Sequence, residues 1–115
     1  MKKNKKKDLH FSTKAIHVGN EPDQGSRSVI PPINLSSTFK IDKINGEINY
    51  DYSRADNPNR RNLEKNLASL EGADFGIAFS SGMAAIMSLF QLLNSGDHII
   101  ISKNVYGGTY RMSSQ

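Results

Sequence analysis

The sequence contains no cysteine. That excludes disulfides, thiolate zinc sites and a cysteine nucleophile, and it is compatible with a reducing compartment. Long apolar runs are also missing. The longest, residues 83–93, has 11 residues and includes Ser88 and Gln91, whereas a membrane-spanning helix needs roughly 20. The basic start is followed by Asp8-Leu9-His10-Phe11-Ser12 rather than an apolar segment, so no signal peptide is expected, and its lack of arginine argues against a transit peptide. The chain reads as soluble and cytoplasmic, with no membrane partner. Excess charge is absent once the first eight residues are set aside. They hold five Lys and one Asp and account for the whole formal charge of +4, while residues 9–115 hold ten basic and ten acidic residues. A nucleic-acid-binding face would carry basic residues interleaved with aromatics on a folded surface. Here the excess sits in a Lys/Asn run, expected to be a solvated, disordered tail, so no nucleic-acid partner is expected. His10, His17 and His98 share no metal-ligand spacing, and no metal site is predicted.

What is present is unevenly distributed. Hydrophobic residues make up 37% of the chain, and between Phe75 and Ile101 the Ala, Ile, Leu, Met and Phe count is 16 of 27. The first 74 residues are polar and rich in Asn, Ser, Lys and Asp. One dense apolar block cannot cover itself and also organise 74 polar residues. The expectation is a piece of something larger, or a chain that needs a partner.

Residues 9–39 show no helical period and are punctuated by Pro22, Gly25, Pro31 and Pro32. Val29-Ile30-Pro31-Pro32-Ile33 is predicted to be extended, because each proline pushes its predecessor out of the α region. Such an arm has nothing of its own to pack on and would lie along another surface, such as another subunit. A polar loop carrying Tyr50-Asp51-Tyr52-Ser53-Arg54 precedes a predicted helix with Asn57 as N-cap, Pro58 at its first position and Gly72 at its end. Leu63, Leu67 and Leu70 make one apolar stripe on it. Residues 75–79 and 98–101 read as buried strands on either side of a helix over 83–93 that is apolar on nearly every side, which predicts a parallel βαβ unit. The stretch from Lys103 is predicted to be a loop with the start of another helix.

Three segments are candidates for chemistry. Ser80-Ser81-Gly82-Met83 joins a predicted strand to a helix, where free N–H groups and the helix dipole make an anion site. By itself the pattern is more often a plain βα turn with N-capping serines. It is neither a dinucleotide fingerprint nor a P-loop. Tyr52 and Arg54 stand two apart in a polar loop, and both can reach one phosphate or carboxylate. Alone, they read better as a surface Tyr packed on an Arg stem. Tyr106-Gly107-Gly108-Thr109-Tyr110-Arg111 follows the second predicted strand, where α/β sheets bind ligands. An aromatic ring there can stack on a flat cofactor, but a glycine-rich connection looks the same.

Together the segments are far more specific. Thr13-Lys14-Ala15-Ile16-His17-Val18-Gly19, Pro31-Pro32-Ile33-Asn34-Leu35-Ser36-Ser37-Thr38-Phe39, Tyr50-Asp51-Tyr52-Ser53-Arg54, Asn57-Pro58-Asn59-Arg60 with Leu63-Glu64, Ala78-Phe79-Ser80-Ser81-Gly82-Met83-Ala84-Ala85 and Val105-Tyr106-Gly107-Gly108-Thr109-Tyr110-Arg111 stand in one order. In that order and spacing the chain resembles the first quarter to third of cystathionine γ-lyase-type enzymes of the Cys/Met-metabolism family, which use pyridoxal 5′-phosphate (PLP). The resemblance implies an α/β, aspartate-aminotransferase-like (type I) fold, present incompletely. Residues 1–8 would be a tail, 9–59 an extended arm and intersubunit loop, and 60–115 the start of the parallel-sheet, PLP-binding large domain.

It also implies roles for particular residues. Gly82 and Met83 would give N–H groups to the PLP phosphate, and Tyr106 would stack on the pyridine ring. Tyr52 and Arg54 would reach the phosphate of a neighbouring subunit's PLP. Arg54, Tyr106 and Arg111 would border the amino-acid substrate, within a homotetramer. The implied chemistry is cleavage of cystathionine to cysteine, 2-oxobutanoate and ammonia, with cystathionine γ-synthase or a truncated, non-catalytic remnant as alternatives. Gly108 speaks against methionine γ-lyases, which carry Cys there. Ala55-Asp56 departs from the commoner Ser-Gly. No lysine of this chain has the context of the family's Schiff-base lysine. That lysine is expected beyond residue 115, so no catalytic residue is assigned here and the 115 residues alone are expected to be inactive.

Overall fold

Helix α2 (Pro58–Glu71) organises the first part of the chain. Asn57 caps it, accepting the Asn59 N–H on its side chain at 2.9 Å, and Pro58 opens it. Gly72 ends it in the left-handed conformation at φ +67°, and the Ala73 N–H closes on the Ala68 carbonyl at 2.9 Å. Start and stop are those that the sequence predicts, because caps act on orphan groups within the same few residues. The computed structural model describes residues 9–41 and 49–114. The expected disordered tail at 1–8 lies outside the described residues, as does the middle of the loop before Asn49. The chain divides into two compact units, Met1–Ile77 and Ala78–Gln115.

In the first unit, α1 (Phe11–His17) precedes the arm. This corrects the expectation that residues 9–39 lack a helix. A seven-residue helix has little stability alone, and α1 is held by α2. Asn66 of α2 donates its side-chain amide to the carbonyls of Lys14, Ala15 and Val18, at 3.1, 3.2 and 2.6 Å. The Lys14 carbonyl also accepts the Val18 N–H at 3.0 Å, whereas the Ala15 and Val18 carbonyls depend on Asn66 among the described residues. Gly19 turns the chain there at φ +79°. It passes so close to α2 that a Cβ on it would lie 2.2 Å from the Asn62 carbonyl oxygen. The docking also changes which face of α2 is covered. Ala68 is buried, whereas Leu63 and Leu67 of the expected apolar stripe are about half exposed.

Beyond α1 the chain runs without a helix to Phe39. It is tied to the start of α2 by a reciprocal pair. The Asn34 N–H donates to Asn59 Oδ1 at 3.0 Å, and Asn59 Nδ2 donates to the Asn34 carbonyl at 2.8 Å. Val29, Ile30, Ile33 and Leu35 stay exposed. Thr38 and Tyr52 form an isolated antiparallel bridge, flanked by Phe39 N–H to Asp51 carbonyl and Ser53 N–H to Ser37 carbonyl bonds, each 2.8 Å.

In the second unit, α3 (Gly82–Phe90) is capped by Ser81, whose hydroxyl oxygen accepts the Ala84 N–H at 3.1 Å. It stops three residues before the predicted end at Leu93, and a turn closed by the Asp97 N–H on the Asn94 carbonyl at 3.0 Å follows. α4 (Gly107–Ser113) is the expected later helix and packs on α3. The expectation that α3 is buried on more than one face is not met, since none of its residues is buried. The predicted βαβ unit is also corrected. Residues 75–79 and 98–101 form no strand, and among the described residues the Thr38–Tyr52 bridge is the only β pairing. A helix satisfies its own backbone, but a strand exists only where another strand supplies the ladder.

Candidate functional site

The predicted site residues fall into two groups, one in each unit. Tyr52, Ser53 and Arg54 lie in a tight turn, closed by the N–H groups of Ala55 and Asp56 on the Tyr52 carbonyl at 2.9 and 3.0 Å. Several neighbours hold this turn from behind. The Ser53 hydroxyl donates to the Ser36 carbonyl and accepts from Asn57 Nδ2 at 2.8 Å. Arg61 lies over the Tyr50 ring at 4.5 Å, and that ring packs on Phe39 at 5.4 Å. Arg60 reaches the backbone carbonyls of Ser53, Arg54 and Ala55.

On the outer side, the Arg54 guanidinium sits 5.1 Å above the Tyr52 ring, within cation–π range, and both side chains face solvent. Arg54 has no carboxylate partner among the described residues. This answers the concern raised by Asp56, which stands two residues away where the resembled enzymes more often have Gly. Its carboxylate is bonded to Arg61 and lies 3.8 Å from Arg60. It also accepts the Asn57 N–H at 2.8 Å. Its charge is taken by the helix rather than by Arg54.

The second unit brings together Gly82, Met83 and Tyr106. Ser81 satisfies the Ala84 N–H, and the Ala85 N–H bonds the Ser81 carbonyl at 3.1 Å. The N–H groups of Gly82 and Met83 have no protein partner among the described residues. The space where a Cβ of Gly82 would stand is open to 4 Å. Two unpaired donors on the positive end of a nine-residue helix are suited to an anion. The Tyr106 ring folds over Gly108, where an added Cβ would lie 2.7 Å from the ring and 3.0 Å from Met83 Sδ. Thr109, which is buried, donates its hydroxyl to that sulfur at 3.8 Å. Gly108 therefore lets the ring of Tyr106 rest beside the start of α3. Arg111 is exposed on α4.

A phosphate-bearing aromatic cofactor fits the donor set of the second unit, where backbone N–H groups suit a phosphate and the exposed ring of Tyr106 suits a planar heterocycle. In the first unit, the guanidinium of Arg54 and the phenol of Tyr52 suit an anion. The sequence left Ser53 and Arg60 without a role. Both stand in runs that carry the resemblance, Ser53 in Tyr50–Arg54 and Arg60 in Asn57–Arg60, but no role attaches to either there.

Residues 12–115 match the family described as Cys/Met metabolism PLP-dependent enzyme. The chain is 50% identical over 107 residues to human cystathionine γ-lyase, which covers 92% of this chain and 26% of that protein. Its structure is similar to yeast cystathionine γ-lyase, with a TM-score of 0.80 and 48% identity over 91% of this chain and 27% of that one. It is also similar to cystathionine γ-synthase from Xanthomonas oryzae, solved in complex with aminoacrylate and cysteine. There the TM-score is 0.82 at 36% identity, over 92% of this chain and 28% of that one. The chain thus spans about a quarter of the length of the relatives it matches. On the strength of the match over residues 12–115, the chain belongs to the Cys/Met metabolism family of PLP-dependent enzymes.

Proposed function

We propose that this chain is the N-terminal, cofactor-phosphate-binding part of a PLP-dependent carbon–sulfur lyase that cleaves cystathionine. The observation that carries the reading is the pair of unpartnered N–H groups at Gly82 and Met83, beside the exposed ring of Tyr106. These N–H groups hold the cofactor phosphate and Tyr106 stacks on the ring. Bound PLP supplies the electron sink for the carbanion chemistry of the substrate. Tyr52 and Arg54 reach the phosphate held by a neighbouring subunit, which suits a polar turn whose cation has no acidic partner among the described residues. Arg54, Tyr106 and Arg111 border the amino-acid substrate. The assembly is a homotetramer in the cytoplasm, with residues 60–115 opening the parallel-sheet domain and the apolar arm residues covered by other subunits.

Complementation tests the cross-subunit role. Residues 9–114 are grafted ahead of the remaining three quarters of the human relative. An Arg54→Ala subunit is then mixed with one lacking the cofactor-anchoring lysine of the human part. The site with an intact lysine receives its Arg54 from the partner subunit, so activity is expected to reappear on mixing. Arg54→Ala alone is expected to weaken cofactor retention about ten- to a hundredfold, the scale of a charge-assisted bond. Lys103→Ala serves as a control. Mixtures as inactive as their parents would refute the shared site. A γ-synthase is the second reading, favoured by the similarity to the Xanthomonas structure. Assaying the graft for cystathionine formation as well as cleavage separates the two.

A further inference from the structure

Two adjacent arginines open α2, and they do different things. Arg61 takes the Asp56 carboxylate and covers the Tyr50 ring. Arg60 turns to the backbone of the Tyr52–Arg54 turn. Its Nη1 donates to the Ser53 carbonyl at 3.4 Å and the Arg54 carbonyl at 3.5 Å, and its Nη2 donates to the Ala55 carbonyl. Its Nε lies 3.7 Å from Glu64 Oε1, and its Nη2 lies 3.8 Å from Asp56 Oδ1. One planar fork therefore spans three successive carbonyls and stands between two carboxylates. An ammonium on a flexible stem cannot reproduce that geometry.

We infer that Arg60 is the positioning residue of the phosphate-contacting turn, acting on Arg54 through the backbone. This rests on the phosphate reading of Tyr52 and Arg54 given above. The three carbonyls hold residues 53–55 in one conformation, so the side chain of Arg54 is presented outward over Tyr52 before any ligand arrives. Such preorganisation removes an ordering cost from binding. The charge of Arg60 is balanced by Glu64 and Asp56, so it does not compete for the anion.

The test uses the same graft in its cofactor-loaded form. Arg60→Ala, Arg60→Lys, Arg54→Ala and the Arg54→Ala/Arg60→Ala double variant are compared. The readouts are the PLP dissociation constant, followed by the cofactor's visible band, and the melting temperature of the cofactor-free protein. Both Arg60 variants are expected to bind PLP about tenfold more weakly than the parent. The double variant should be no weaker than Arg54→Ala alone, because Arg60 acts through Arg54. The cofactor-free melting temperatures should match the parent's. Parent-like binding by Arg60→Lys would overturn the inference, since charge alone would then suffice. Multiplying effects in the double variant would overturn it as well. So would a lowered cofactor-free melting temperature in both Arg60 variants, which would place the role in the fold. Arg54→Ala binding as tightly as the parent is a different result. It would refute the phosphate reading itself, and the positioning role with it.

Discussion

Single residues fix where the elements of the first unit meet. Gly19 combines a left-handed φ of +79° with a space that the Asn62 carbonyl closes to any Cβ. Gly19→Ala in the grafted enzyme is expected to cost at least about 2 kcal/mol, from backbone strain and loss of the α1–α2 approach together. Thermal unfolding beside a Gly25→Ala control, where φ is not left-handed, measures it. Two carboxylates near that turn add a pH dependence. The hydrogen bond from Lys65 holds the Glu21 carboxyl below its ordinary range, and the backbone and hydroxyl of Ser26 do the same for Asp23. A carboxyl lowered in the folded state adds stability above its unfolded pKa and loses it as pH falls through the folded one. The segment around residues 21–28 should therefore loosen as pH drops below the ordinary carboxylate range. The Glu21–Lys65 part should be small and erased by salt, because both side chains are about half exposed. Amide exchange across a pH series, at low and high salt, tests this. Protection that is flat with pH would refute it.

At the scale of the element, the start of α2 does two jobs with one side chain. Asn57 Oδ1 caps the helix through the Asn59 N–H, and Nδ2 holds Ser53 of the turn. The two can be separated. Asn57→Ala should cost about 1 kcal/mol for the cap and also free the turn. Asn57→Asp keeps the acceptor but loses the donor, so melting should stay near the parent's while cofactor retention weakens. Equal retention by parent and Asn57→Asp would show that the Ser53 tether is idle. The same scale explains what was legible in the sequence. Asn57-Pro58 and Gly72 mark α2 because a cap is a contact across two or three residues. The missed helix α1 has no side-chain cap at its start. Its end does carry local marks, since Gly19 turns the chain there and Asn20 bonds the Ile16 and His17 carbonyls, but the Ala15 and Val18 carbonyls rely on Asn66, some fifty residues on.

For the whole molecule, the exposed surface decides behaviour. Ala68 is the only buried hydrophobic among the described residues, while Phe75, Ile77 and Ile100 stand almost fully in solvent. A chain of this kind has apolar faces and potential strand edges without cover. The 115 residues expressed alone are expected to aggregate or to form a molten state that binds a hydrophobic dye, with helical but little β signal in circular dichroism. A monomer with a sharp thermal transition would contradict this. Incubated with PLP and borohydride, the same chain is expected to show scattered labelling and no stoichiometric adduct at one lysine, because no lysine here has the family context.

The sequence by itself was enough for the capped starts of α2 and α3, the end of α2 at Gly72 and the family. Each of these is written in neighbouring residues or in the order of short runs. Tertiary structure decided the rest. It made a helix of residues 11–17, covered Ala68 instead of the leucine stripe and set Arg60 behind the Tyr52–Arg54 turn. It also left residues 75–79 and 98–101 without a ladder. The reason is the range of the interactions. A helix closes its hydrogen bonds four residues back, so its signals are local. A docked helix end, a covered face and a β-strand each depend on partners that lie far away along the chain.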